Sequence, residues 1–360
     1  MFKLSSNFRE KLEGKQKKEK WQLFNATDFQ SLMYPCFTFC RILGIFSYNI
    51  NASTFKTSKQ RYILSTVITC ASGIYALITL FDFSLFGKTF NMFNLPGILV
   101  NSCNRMFGIF IIIVTFILSG SRMRLLQIIL KISSRLPSES YRKLSRLIHT
   151  KDIIGSLYLL GHIFVLILKS DEPMVVQLEF LIQIYIYLVV FQMDMLYMNC
   201  VCVLRACFKR INDNLAYMKR VLANNEPHIS RLNYHDQENH FLIMELKALK
   251  KHHLVINDTV QMLNTIFSLQ LLATIVITFC DITGHLYYYI LLRKRFFENY
   301  TLDNTLYHVY FSSKMVYDFT KIALVVWACE TGNSQSLQIS TSIYDVFNNT
   351  ADQQIKNEVV

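Results

Sequence analysis

Six stretches of the chain are mostly apolar over lengths that suit a bilayer: roughly 62–86, 93–119, 152–168, 174–199, 261–292 and 305–329. A transmembrane helix needs about 20 such residues. No period-2 alternation runs through them, and short segments between regular turns are missing, so a β-barrel is a poor fit. The pattern predicts an all-α, polytopic membrane protein with six apparent transmembrane helices. A seventh stretch, 29–50, contains Pro35 and a central Arg41. An arginine at mid-bilayer costs about 2.5–3.5 kcal/mol, so an interfacial helix is expected there. The segment 200–260 reads as amphipathic helix broken near 224–227, and 330–360 as a further cytosolic stretch.

Composition fits this picture. The chain of 360 residues is 52% apolar and 14% aromatic but only 17% charged, with a formal charge of +12. Soluble domains carry about 25% charge. Of the 37 Lys and Arg, 29 fall in 1–61, 120–151, 200–260 and the C-terminal tail. These regions lie on one side of a six-span arrangement. Only five (Lys88, Lys169, Arg293, Lys294 and Arg295) fall on the other side, and three lie inside spans. The positive-inside rule then places the N-terminal segment 1–61 in the cytosol. Topology therefore accounts for the basic excess, and no nucleic-acid partner is implied. Basic residues before 21 suit contact with anionic membrane lipid or a solvated helix equally. No apolar stretch there resembles a signal peptide.

Candidate chemistry is sparse. No P-loop, GxSxG, GxGxxG, HExxH or CxxC motif occurs, so no catalytic residues, no metal ligands and no cofactor are expected. Cys200, Cys202 and Cys207 suit either palmitoylation or ordinary burial. Polar residues inside spans are more informative, because hydrocarbon makes them costly. Asp281, His285 and Tyr288 share one helical face in the outer half of the fifth span. Tyr307 and Tyr310 open the sixth span at the same depth, and Gln183 lies in the outer half of the fourth. These six are candidate ligand-binding residues, since an aromatic pocket with a few polar groups suits a small molecule. The same pattern also fits helix packing with an interfacial tyrosine belt. Lys314, Asp318 and Lys321 form a second set at i, i+4 and i+7. With Asp194 they read as an intramembrane polar network, either an ion pair holding the bundle or a polar path.

The layout resembles the insect gustatory receptor family, within the insect chemoreceptor ion channels. The resemblance rests on "YPCFTFCRILGIFSY" at Tyr34–Tyr48 and "FQMDMLYMNCVCVLRACFKRIND" leaving the fourth span. It also rests on "VQMLNTIFSLQLL" at Val260–Leu272 and "VVWACETGNSQSL" ending the sixth. Within that family it is similar to the fructose receptors. It implies a ligand-gated, non-selective cation channel subunit in the plasma membrane of sensory neurons. The partner set implied is a small-molecule tastant (sugar, bitter compound or amino acid) and other subunits of a homo- or heterotetramer. The family has seven spans, and its terminal Tyr-to-Gln-Phe motif does not appear before Val360. The chain is therefore expected to lack the last, pore-lining span and not to conduct alone. Two rivals remain at this level. A G-protein-coupled-type receptor would count 29–50 as a span and put the N-terminus outside, leaving Asn25 open to glycosylation. A secondary transporter would show inverted repeats, and none is evident.

Overall fold

In the computed structural model, residues 22–51, 54–86, 95–168, 174–224, 232–296 and 302–349 are described. Helix α1 (Phe29–Ile42) starts at Asp28, whose carboxylate accepts from the Ser31 N–H at 2.7 Å in a capping box. Its apolar residues Phe29, Leu32, Met33, Cys36, Phe37 and Cys40 recur at helical spacing and are buried. The helix ends sooner than the expected 29–50. Gly44 takes φ +70°, which favours glycine, and the chain turns into a hairpin of β1 (Tyr48–Asn51) and β2 (Thr54–Thr57). The hairpin folds Phe46 and Phe55 against Phe37, at centroid distances of 4.9 and 5.9 Å.

Among the described residues, six long helices follow, with one short helix between them. They are α2 (Lys59–Phe86), α3 (Leu95–Ile117), α4 (Ser119–Ser133), α5 (Ser138–Leu168), α6 (Met174–Asn224), α7 (Leu232–Phe296) and α8 (Leu302–Asn349). Helix α6 contains no Gly or Pro, so nothing in it stops the helix at a membrane boundary. The expected 200–260 loop is thus mostly continuation of α6 and α7, on either side of 225–231, which lie outside the described residues.

Contacts fix the helix directions. Tyr62 meets Phe116, so α2 and α3 run antiparallel. Asp194 contacts Thr274 and Phe208 contacts His253, so α6 and α7 do as well. Tyr197 contacts Cys329 and Lys219 pairs with Asp345, so α6 and α8 run parallel. Asp152 contacts Asn199 and Gly155 lies against Phe191, so α5 and α6 run antiparallel. Asn104 meets Asp281 and Arg122 meets Phe267, so α3, continued by α4, runs opposite to α7. Directions therefore alternate from one long helix to the next. Stretches of α2, α3, α6 and α7 are long and apolar enough to cross a membrane. Large apolar side chains also face outward, including Leu157 (64%), Leu272 (60%) and Phe279 (68%). An exposed apolar surface of this extent is stable only against lipid or a partner. Helix α6 is the centre of the bundle: 89% of its apolar part is buried.

The N-terminal segment is tied to α5. His149 Nδ1 accepts from the Phe24 N–H at 3.1 Å, and Nε2 donates to the Leu32 carbonyl at 2.9 Å. Cys200, Cys202 and Cys207 are buried in α6, which removes them from an acylating enzyme.

Arg122 of α4 is an uneconomical core residue. It donates to the Thr115 carbonyl at 3.2 Å and lies over the Phe267 ring, but Nε and Nη2 have no partner among the described residues. Burial pulls its pKa down to about 10. The unfolded chain therefore binds more protons between that value and the ordinary one, and at neutral pH the cost is fully present. Arg122→Met keeps the contact with Phe267 and removes the buried charge. It is expected to raise stability in detergent by roughly 1–3 kcal/mol, read as a higher unfolding temperature.

Candidate functional site

Lys314 of α8 is 1% exposed and lies between two carboxylates that are fully buried. Its Nζ is 2.6 Å from Asp281 Oδ2 on α7 and 3.3 Å from Asp318 Oδ1 one turn along its own helix. Asn104 of α3 donates to the other Asp281 oxygen. The Lys314 ammonium also faces the Tyr187 ring at 5.0 Å and the Tyr317 ring at 5.4 Å. Four helices thus converge on one cation. A buried charge needs that many partners, because removing it from water costs several kcal/mol per ion. By formal charge the triad of Lys314, Asp281 and Asp318 carries one cation and two carboxylates.

Aromatic rings wall one side of this centre. His162 of α5 stacks on Tyr310 at 5.3 Å and on Tyr317 at 6.2 Å. His285 of α7 meets the Tyr310 ring edge-on at 5.9 Å. Tyr158 donates to the Ser313 carbonyl at 2.7 Å and stacks on Tyr317, while His162 Nδ1 is 3.2 Å from Ser313 Oγ. The result is a polar floor under a tyrosine–histidine wall.

A second buried cluster lies further along α6. Asp194 Oδ1 accepts from Thr274 at 3.1 Å and from Gln270 at 3.3 Å. Lys321 places its ammonium 5.5 Å from the Tyr317 ring. Tyr317 therefore joins the two clusters.

Of the residues expected from sequence, Asp281, His285, Tyr310, Lys314 and Asp318 come together. Gln183 is half-buried on α6, one turn before Tyr187. The side chains of Tyr288 and Tyr307 lie outside the described residues. Asp194 and Lys321 belong to the adjoining cluster rather than to the first. Sequence reasoning missed Asn104, His162 and Tyr187. Asn104 and His162 carried the signal that found Asp281, a polar side chain inside an apolar stretch. Tyr187 carried none, since it is one of many tyrosines on apolar helices.

Long helices alternating in direction, apolar outside and holding paired charges at their centre, define a helical membrane protein of the receptor or transport type. The model of the 7tm chemosensory receptor family matches residues 33–359, and the chain belongs to that family. Among curated proteins no match is found.

Proposed function

We propose that the chain is a subunit of a ligand-gated, non-selective cation channel that detects small tastants at the plasma membrane of sensory neurons. Membership of the chemosensory receptor family supports a chemoreceptor role. The observation that carries the rest is the Lys314 centre: a buried cluster of one ammonium and two carboxyl groups under an aromatic wall, built from four helices at once. Ligand binding at such a centre changes how the helices pack, because each helix supplies part of it. A ligand that binds the open arrangement better shifts the population towards it.

In this reading all six long helices cross the bilayer, with the N-terminal segment in the cytosol. The tastant is a sugar, bitter compound or amino acid held by Tyr310, His285 and Asp281, with Gln183 on the neighbouring helix α6. The subunit works in a tetramer with copies of itself or with other chemoreceptor subunits.

The test is electrical. The chain is expressed with other chemoreceptor subunits, and excised patches are exposed to sugars, bitter alkaloids and amino acids. The expected result is a ligand-evoked cation current that persists without GTP. A response that needs GTP would support a G-protein-coupled receptor instead. Silence with every partner and tastant would remove the channel reading.

A further inference from the structure

A cavity of about 360 Å³ opens between α5, α6 and α8, beside the second cluster. That is within the range of small-molecule sites, about 300–1,000 Å³. Its lining is largely apolar and includes Gly155, Phe191, Met195 and, from α8, Thr320. Ile154 and Val316 also line it, and they are 62% and 53% exposed. The mouth therefore lies on the apolar outer surface, where the α5 face Ile154, Leu157, Leu160 and Phe164 stands exposed. A ligand that enters there comes from the hydrocarbon, not from water.

The polar end of the cavity holds Asp194 and Lys321. Asp194 is 1% exposed, and its Oδ2 has no hydrogen-bond partner among the described residues, although Oδ1 is occupied twice. Lys321 is 8% exposed, and among the described residues its ammonium makes no ion pair within 4 Å and no hydrogen bond; it faces the Tyr317 ring and feels the charges of Asp194 and Asp318 at longer range. Lys151, the other lysine on the wall, is already paired with Asp152 at 2.6 Å. The cavity thus offers one free acceptor and one free donor, each on a buried charge. Leaving buried polar groups without partners is costly, so a ligand that supplies both gains by it.

We propose that this cavity is a second ligand site, entered laterally from the membrane, for an amphiphile with an apolar tail and a neutral hydroxyl head. A hydroxyl donates to Asp194 Oδ2 and accepts from Lys321 Nζ, so it satisfies both at once. A cationic head would meet Lys321, and an anionic head would meet Asp194. The tail lies along Gly155, Phe191 and Met195 towards the mouth. Gly155 keeps this space open, since a Cβ there would come within 2.9 Å of the Met195 methyl and 3.1 Å of the Phe191 ring. Tyr317 lines the cavity and contacts Lys314, so occupancy is felt at the first centre. The proposal rests on the chain being embedded in a bilayer, but not on ion conduction.

The test uses the full chain in lipid nanodiscs and a decanol bearing a diazirine. Light is expected to attach it to peptides of α5 and α8 around Gly155 and Thr320. Unlabelled decanol should suppress labelling at least fivefold more effectively than decyltrimethylammonium or decyl sulfate. Gly155→Leu and, separately, Thr320→Leu should each lower labelling about fivefold. A tail-only diazirine hydrocarbon, run in parallel, reports whether the outer faces of α2 and α7 sit in lipid. Labelling of those faces without site-specific attachment of the alcohol probe overturns the site alone. So does equal competition by the charged amphiphiles, or wild-type labelling of either variant. No labelling of the outer faces overturns the membrane placement itself.

Discussion

Lys314→Met is expected to leave little folded protein. The substitution keeps the volume but strands Asp281 and Asp318 as two buried carboxylates with no cation between them. Breaking a buried pair in this way costs about 3–5 kcal/mol, a large share of the stability of most folded domains. The readout is the monodisperse fraction in detergent and its unfolding temperature. The triple variant Lys314→Met, Asp281→Asn, Asp318→Asn separates charge from packing. With the carboxylates neutralised, most of the folded protein should return, and ligand response should not. If Lys314→Met alone behaves like the native chain, the ion cluster is not what holds α7 to α8.

Phe37→Ala should be nearly as severe, through packing rather than charge. Phe37 is 1% exposed and contacts Phe29, Phe46 and Phe55. Its ring joins α1 to the hairpin that follows. Truncating a fully buried phenylalanine costs about 3–5 kcal/mol, because the surrounding rings cannot close the space. Thermal unfolding of the purified variant measures it. A loss below about 1 kcal/mol would mean that the N-terminal layer moves independently of the bundle. Such a small loss is not expected, since Gln192 of α6 donates to the Cys36 carbonyl at 3.1 Å and ties the same layer to the central helix.

Helix identity was legible because lipid-facing and buried helices both need long apolar runs, and α2, α3, α6 and α7 have them. Helix length was legible only in part. The unbroken run from Met174 to Asn224 lacks Gly and Pro, yet the charged half after Asn199 invited a boundary that the backbone does not make. The hairpin was not legible. Its strands are four residues each, and Phe46 and Phe55 look like any aromatic residues beside a membrane. In the candidate site, spacing along one helix found Asp281 with His285 and Lys314 with Asp318. It could not find that the shorter contact runs between helices, 2.6 Å to Asp281 against 3.3 Å to Asp318. Asn104 and Asp281 are 177 residues apart, and no spacing rule joins them. Only packing of α3 on α7 does so.

The central claim is that a tastant is sensed at the Tyr310 wall above the Lys314 centre. Tyr310→Ala removes the ring that His162 and His285 both contact and leaves every ion pair in place. The decisive measurement is the dose–response curve of ligand-evoked current for this variant against the native chain, at matched surface expression. Losing one aromatic contact is worth up to about 1.5 kcal/mol, so the half-maximal concentration should rise roughly tenfold. An unchanged curve would contradict the account.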